Sequence, residues 1–181
     1  MRLPEGVQGC RRPHASAAVD HQVIEELGIH CPAKLVFAPV DFESQTLREG
    51  LEALGFDFAA PAVFSWIGVT TYLTLAAIRA TLATVAACPA GTRIVLTYNQ
   101  PRAALQRLGL GVETAVAGMV TELGEPFISL FEPAEIEQLL RQLGFDGIEH
   151  FGPDEAIRTY FAGRNDVRFG GAQRLVVATV A

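Results

Sequence analysis

Three near-continuous apolar runs constrain the fold of this 181-residue chain more than any other feature. They are KLVFAPV at 34–40, AVFSWIGV at 62–69 and RIVLTYN at 93–99. Strands half exposed to water alternate apolar and polar side chains. Runs without alternation suit strands covered on both faces, the condition of a parallel sheet. Between the runs lie segments of helical period. SQTLREGLEALGF (44–56) carries Leu47, Leu51 and Leu54 on one face, with Ser44 placed to cap its start and Gly55 its end. TLAAIRATLATVAA (74–87) begins at a capping threonine, Thr74. The alternation predicts a doubly wound α/β fold.

The second half continues the pattern. Residues 103–123 read as mostly helical. FEPAEIEQLLRQLGF (131–145) has Pro133 at its first helical position and Gly144 just past its end. GIEHFG (147–152) reads as a strand, PDEAIRTYFAG (153–163) as a short helix and QRLVVATV (173–180) as the last strand. The last two strands are expected to form an antiparallel edge pair. Residues 17–28 read as a helix ending at Gly28, and residues 1–16 show neither helical nor strand periodicity. The predicted organisation is an irregular segment 1–16 followed by one domain over 17–181.

Composition excludes several classes of function. Half the residues are hydrophobic, enough for a core, and the formal net charge is −6. No basic block is present, so a nucleic-acid partner, which needs several phosphates neutralised, is not expected. No apolar run reaches the roughly 18 residues of a membrane span, and residues 1–22 lack the apolar core of a secretory signal. The cysteines at 10, 31 and 88 are odd in number and widely spaced. They fit free thiols in a reducing cytoplasm better than a disulfide framework or a zinc site. The histidines at 14, 21, 30 and 150 show no metal spacing, so no metal is expected. Neither a G-x-S-x-G elbow nor a phosphate-binding loop ending in G-K-[ST] is present.

Three run ends carry polar or aromatic groups. They are Asp41-Phe42-Glu43, the segment from Ser65 and Trp66 to Tyr72, and Tyr98-Asn99-Gln100. In open α/β sheets, ligands sit outside the carboxyl ends of the parallel strands. Ser65, Trp66, Thr70, Thr71 and Tyr72 therefore line a ligand crevice or, equally, form an ordinary loop and helix cap. Asp41 could accept from an amine or amide edge of a ligand, with Phe42 as an aromatic face. Asp41 could also start a turn and cap the next helix. LGLGVETA (108–115) has glycines, Gly109 and Gly111, at nucleotide-loop spacing, but a helical pattern precedes it instead of a strand. It reads as a decoy.

Five segments in order, VDFE (40–43), FSWIGVTTYLT (64–74), ELGEPF (122–127), FEPAEIEQLLRQLGF and YFAGR (160–164), resemble a bacterial family of S-adenosylmethionine-dependent methyltransferases related to leucine carboxyl methyltransferases. The resemblance covers about residues 17–181. It implies a Rossmann-like methyltransferase sheet, S-adenosyl-L-methionine as cofactor, and a carboxylate or small-molecule hydroxyl as methyl acceptor. It places Asp41 and Phe42 at the adenine end of the donor and Ser65 and Trp66 beside it. Tyr72 and Tyr98 are candidates on the substrate side, and His150 joins them as a candidate base by residue type. Carboxyl-methylating relatives carry an acidic residue near Ile67, which this chain lacks. The family's first strand ends in a Gly-rich turn near GAGLDTR, and its second in an acidic residue for the ribose. Neither occurs before residue 31. The expectation is an N-terminally shortened methyltransferase domain whose unpaired strand edges promote self-association. An inactive piece that acts by pairing with another chain is the alternative.

Overall fold

Arg93–Asn99 folds as the strand the apolar run predicts, and every residue from Leu96 to Asn99 is buried. The structure is a computed structural model that describes residues 26–28, 36, 45–101, 127–164, 166 and 172–181. The chain divides into two compact units, Met1–Asp57 and Phe58–Ala181. The expected strand at 34–40, the site residues Asp41 and Phe42, the cap Ser44, the helix at 103–123 and the glycine motif at 108–115 lie outside the described residues, as does most of the helix at 17–28.

In the first unit, helix α1 spans Leu47–Glu52. This is shorter than the 44–56 that the sequence pattern predicts. Thr46, in place of Ser44, caps it. Its hydroxyl accepts from the Glu49 N–H at 3.2 Å while the Glu49 carboxylate takes the Thr46 N–H at 2.9 Å. This reciprocal pair closes the helix start two residues later than Ser44 would. The Thr46 N–H, together with the Thr46 hydroxyl donating to the same carboxylate at 2.8 Å, holds the Glu49 carboxyl below its usual range.

The second unit is a four-stranded sheet. Strand β1 is Val63–Trp66, β2 is Arg93–Asn99, β3 is Phe145–Phe151 and β4 is Gln173–Val180. Their order is β1-β2-β4-β3. The pair β1 and β2 is parallel, in a register that sets Trp66 beside Leu96. Strand β4 runs antiparallel to both β2 and β3. The expected antiparallel pair of last strands is present, but only β3 is an edge, because β4 inserts between β2 and β3. Between β3 and β4 the register shifts from Asp146 to Glu149.

Strand β1 ends at Trp66, three residues before the apolar run does. Gly68 adopts φ +76, a left-handed conformation that a residue with Cβ avoids. The chain then makes a single 3-10 turn over Thr70–Tyr72. Helix α2, Leu75–Ala86, follows with Thr74 as its N-cap, as its sequence predicts. Ile78, Leu82 and Val85 are fully buried along one side. Helix α3, Pro133–Gln142, is shorter than the 131–145 pattern. Its start is set by the Glu135 carboxylate accepting the Glu132 N–H at 2.7 Å. Gly144, at φ +94, turns the chain into β3. Helix α4 is Pro153–Tyr160.

One face of the sheet carries Ile94, Leu96 and Tyr98 from β2, in register with Ala178, Val176 and Arg174 of β4. All but Arg174 are buried. Ile136 and Leu140 of α3 are wholly buried. Glu137, between them on α3, faces His150 of β3, which is the cross-strand partner of Val176. Helix α3 therefore covers this face.

Candidate functional site

The carboxyl ends of β1 and β2 lie side by side, and their backbones are joined through threonines. The Gly68 N–H donates to Thr97 Oγ1 at 2.7 Å. The Thr70 hydroxyl donates to the Thr97 carbonyl at 2.6 Å. One β2 residue thus fixes both the glycine turn and the 3-10 turn after β1. No sequence pattern singles out Thr97. Its signal is a hydroxyl inside RIVLTYN, where an apolar side chain would serve a purely structural strand better.

A second segment closes on the same place. The Thr71 carbonyl accepts from the Ile128 N–H at 2.7 Å and from the Ser129 N–H at 3.2 Å. The Ser129 hydroxyl donates to the Leu73 carbonyl at 2.6 Å. The Phe131 N–H donates to the Asn99 carbonyl at 2.9 Å, which ties 128–131 to the end of β2. Tyr72 meets Phe127 edge to face, with ring centroids 5.7 Å apart.

The fold separates the residues expected at the site. Ser65 is exposed and pairs with Val95, while Trp66 is buried and pairs with Leu96, so the two point to opposite faces of the sheet. Tyr72 is half-buried against Phe127. Tyr98 is only 1% exposed. Its hydroxyl lies 3.1 Å from His150 Nδ1. The structure thus brings Tyr98 together with His150 and sets Tyr72 in a separate aromatic pair. Burial pushes the Tyr98 phenol up to about 12, with the Arg174 guanidinium pulling the other way. Tyr98 stays protonated at neutral pH.

An adenosyl sulfonium is a flat base, a polar sugar and a positive sulfur. The segment 61–74 contains no Lys or Arg to repel the sulfonium. At Gly68, no described atom lies within 4 Å of where a Cβ would stand. The exposed hydroxyl of Ser65 stands at the same strand end. These described residues are compatible with such a group. No group of three His, Cys, Asp or Glu side chains converges among the described residues.

Substituting Thr97 by valine tests how far this strand end depends on one hydroxyl. Valine keeps the shape and leaves the Gly68 N–H without its acceptor. An unsatisfied donor of this kind costs about 1–3 kcal/mol. Urea unfolding of the Thr97→Val protein should show a loss in that range, and no loss would mean that water replaces the hydroxyl.

Comparison with known proteins agrees with the resemblance in the sequence. A model of the leucine carboxyl methyltransferase family matches residues 15–86. The match includes VDFE and FSWIGVTTYLT. No curated protein matches the chain by sequence. The S-adenosylmethionine-dependent methyltransferase SibL is similar in structure with a TM-score of 0.56 and 15% identity, over 93% of this chain and 41% of SibL. A DUF574 family protein from Streptomyces avermitilis has a TM-score of 0.55 and 17% identity, over 91% of this chain and 62% of its own. Human N-acetylserotonin methyltransferase, solved in complex with SAM, has a TM-score of 0.50 and 11% identity, over 86% of this chain and 36% of its own. The fold is the Rossmann-like fold of these methyltransferases. The chain spans about two fifths of the length of SibL.

Proposed function

We propose that the protein is an S-adenosylmethionine-dependent methyltransferase that methylates an oxygen of a carboxylate or small-molecule hydroxyl. The observation that carries this reading is the family match over 15–86. That match includes both run ends, Asp41-Phe42 and Ser65-Trp66, at which the resemblance places donor contacts. The parallel register of β1 and β2 supports it, because it sets two carboxyl ends at one edge of the sheet.

The donor, when bound, supplies an activated methyl on a positively charged sulfur. The chain's share is alignment and exclusion of water. In this reading Asp41 and Phe42 hold the adenine end, Ser65 and Trp66 lie beside the donor, and Tyr72 is on the acceptor side. A carboxylate acceptor needs no base, whereas a hydroxyl acceptor does. Tyr98, protonated at neutral pH and engaged with His150, is not available as that base. Tyr72 and His150 remain the candidates for that base by residue type. The proposed compartment is the cytoplasm. Among the described residues, no helix is long and apolar enough to cross a membrane.

Calorimetry with S-adenosylmethionine, followed by transfer of labelled methyl to a panel of carboxylates and alcohols, tests the proposal. In a protein that binds the donor, Asp41→Ala should weaken binding by about 1.5–3 kcal/mol, the value of a hydrogen bond to a charged group. An unchanged dissociation constant would remove Asp41 from the site. The emission of Trp66, the only tryptophan, should respond to saturating donor.

A second reading rests on β1. Its described strand neighbour is β2, and its apolar Val63 is 75% exposed. Exposed apolar strand surface invites association with another chain. In that reading the protein is non-catalytic and associates with a partner or with itself. Light scattering together with calorimetry separates the two. A monomer with micromolar donor affinity supports the enzyme, and an oligomer indifferent to the donor supports the second reading.

A further inference from the structure

A cluster of ionisable groups lies at the carboxyl end of the sheet, beyond the strand ends assigned to the donor. Each of five elements contributes one member. Tyr98 comes from β2, His150 from β3, Arg174 from β4, Glu137 from α3 and Glu155 from α4. The Tyr98 hydroxyl is 3.1 Å from His150 Nδ1, and the rings meet edge to face at 6.1 Å. His150 Nε2 points toward Glu137 Oε2 at 3.7 Å. Arg174 is the direct cross-strand partner of Tyr98. Its guanidinium lies so close over Gly152 that a Cβ there would come within 2.5 Å of it. Its nearest carboxylate among the described residues is Glu155, at 3.9 Å. Neither His150 Nε2 nor Arg174 Nε has a hydrogen-bond partner among the described residues, although both atoms are buried.

We propose that Tyr98 and His150 form a proton-responsive pin, which joins the carboxyl ends of β2 and β3 while His150 is neutral and loosens when His150 is protonated.

Tyr98 is protonated and buried, so its O–H needs an acceptor. Neutral His150 offers one only in the tautomer with the proton on Nε2. That tautomer also turns an N–H toward Glu137. Protonation converts Nδ1 from acceptor to donor. The Tyr98 oxygen must then accept, and its own proton loses its acceptor in a place 1% exposed. The new imidazolium also stands near the Arg174 guanidinium.

The two carboxylates oppose this only in part. Glu137 is already held by Arg141, at 2.8 and 3.1 Å through Oε1. Glu155 takes the Gly152 N–H at 2.9 Å and an Arg158 N–H at 3.2 Å. Burial leads the causes that lower His150, Glu137 opposes it, and Arg174 adds to it. Folded His150 therefore titrates below its ordinary value, near 6.5. Above that value both folded and unfolded chains are neutral here. As pH falls below it, the unfolded chain takes up the proton first and the fold loses stability. The loss falls on the end of β2, where the next backbone bonds are Phe131 N–H to Asn99 and Gln100 N–H to Ala172.

Histidine side-chain NMR of the full chain between pH 5 and 8 tests the pin. The His150 signal is assigned by its absence in His150→Gln. It should show the Nε2–H tautomer and a midpoint below 6.5, and Arg174→Met should raise that midpoint. An Nδ1–H tautomer, or a midpoint at or above 6.5, would overturn the proposal. Thermal unfolding gives an independent reading. The wild-type midpoint should fall between pH 7.5 and 5.5 by more than that of His150→Gln. His14, His21 and His30 are common to both proteins and cancel in the difference. An equal fall in the two proteins would also overturn it. If His150→Gln does not fold, Tyr98→Phe serves instead, because it removes the O–H that demands the tautomer. The tautomer preference should then weaken, and an unchanged preference counts against the pin.

Discussion

Tyr98→Ala is expected to destabilise the fold by about 3–5 kcal/mol, the range for deleting a buried aromatic ring. Tyr98 is among the largest fully buried side chains. It sits on the central strand of its face, beside Leu96 and opposite Arg174. Alanine removes the ring and leaves a void in a close-packed layer. It also leaves His150 Nδ1 without its partner and Arg174 beside a void, with no counter-charge among the described residues closer than Glu155 at 3.9 Å. Tyr98→Phe divides the effect. Phenylalanine keeps the ring, so its loss should be the smaller part, about 1–3 kcal/mol for the unsatisfied partner. Urea unfolding of both variants checks this. A Tyr98→Ala protein within about 1 kcal/mol of wild type would mean that the ring is not part of the core.

Leu140→Ala is expected to cost about 2–5 kcal/mol, with an unchanged dependence on denaturant. Leu140 is wholly buried on the face of α3 that carries Ile136. Helix α3 is ten residues long, too short to persist in water without packing. Its buried side chains are therefore what hold it on the sheet, and with it the Glu137 side of the His150 cluster. A smaller loss would mean that the helix settles to fill the void. A changed slope would mean that the unfolding unit itself has changed. Because Leu140 does not touch His150 by hydrogen bond, the pH dependence of the variant should persist unless α3 detaches.

Several elements are legible in the amino-acid sequence. The run RIVLTYN coincides with β2, and QRLVVATV coincides with β4, because long apolar runs leave few alternatives to a buried strand. The Thr74 cap and the glycine after α3 are also legible, since capping and left-handed turns are local chemistry. The resemblance to methyltransferases rests on short segments, and the family match over 15–86 and the fold agree with it. The donor contacts Asp41 and Phe42 remain readings of the sequence, carried by position at a strand end and by that resemblance.

Other features belong to the tertiary structure alone. The sequence order of strands does not reveal that β4 inserts between β2 and β3, since any antiparallel strand of that pattern could also close the edge. Residues 62–69 read as one strand, yet β1 stops at Trp66. The Thr97 hydroxyl, 29 residues away, draws the Gly68 N–H out of line. Tyr98 and His150 are candidates by residue type, and nothing in the sequence joins them as a pair. They lie 52 residues apart and meet only because β2 and β3 flank β4 on one face. Local propensity and apolar period are set by neighbours in the chain, so the sequence by itself determined the covered sheet and most helix starts. Register, strand order and the pairing of buried polar groups are set by which surfaces pack, and that is decided only when the whole unit folds.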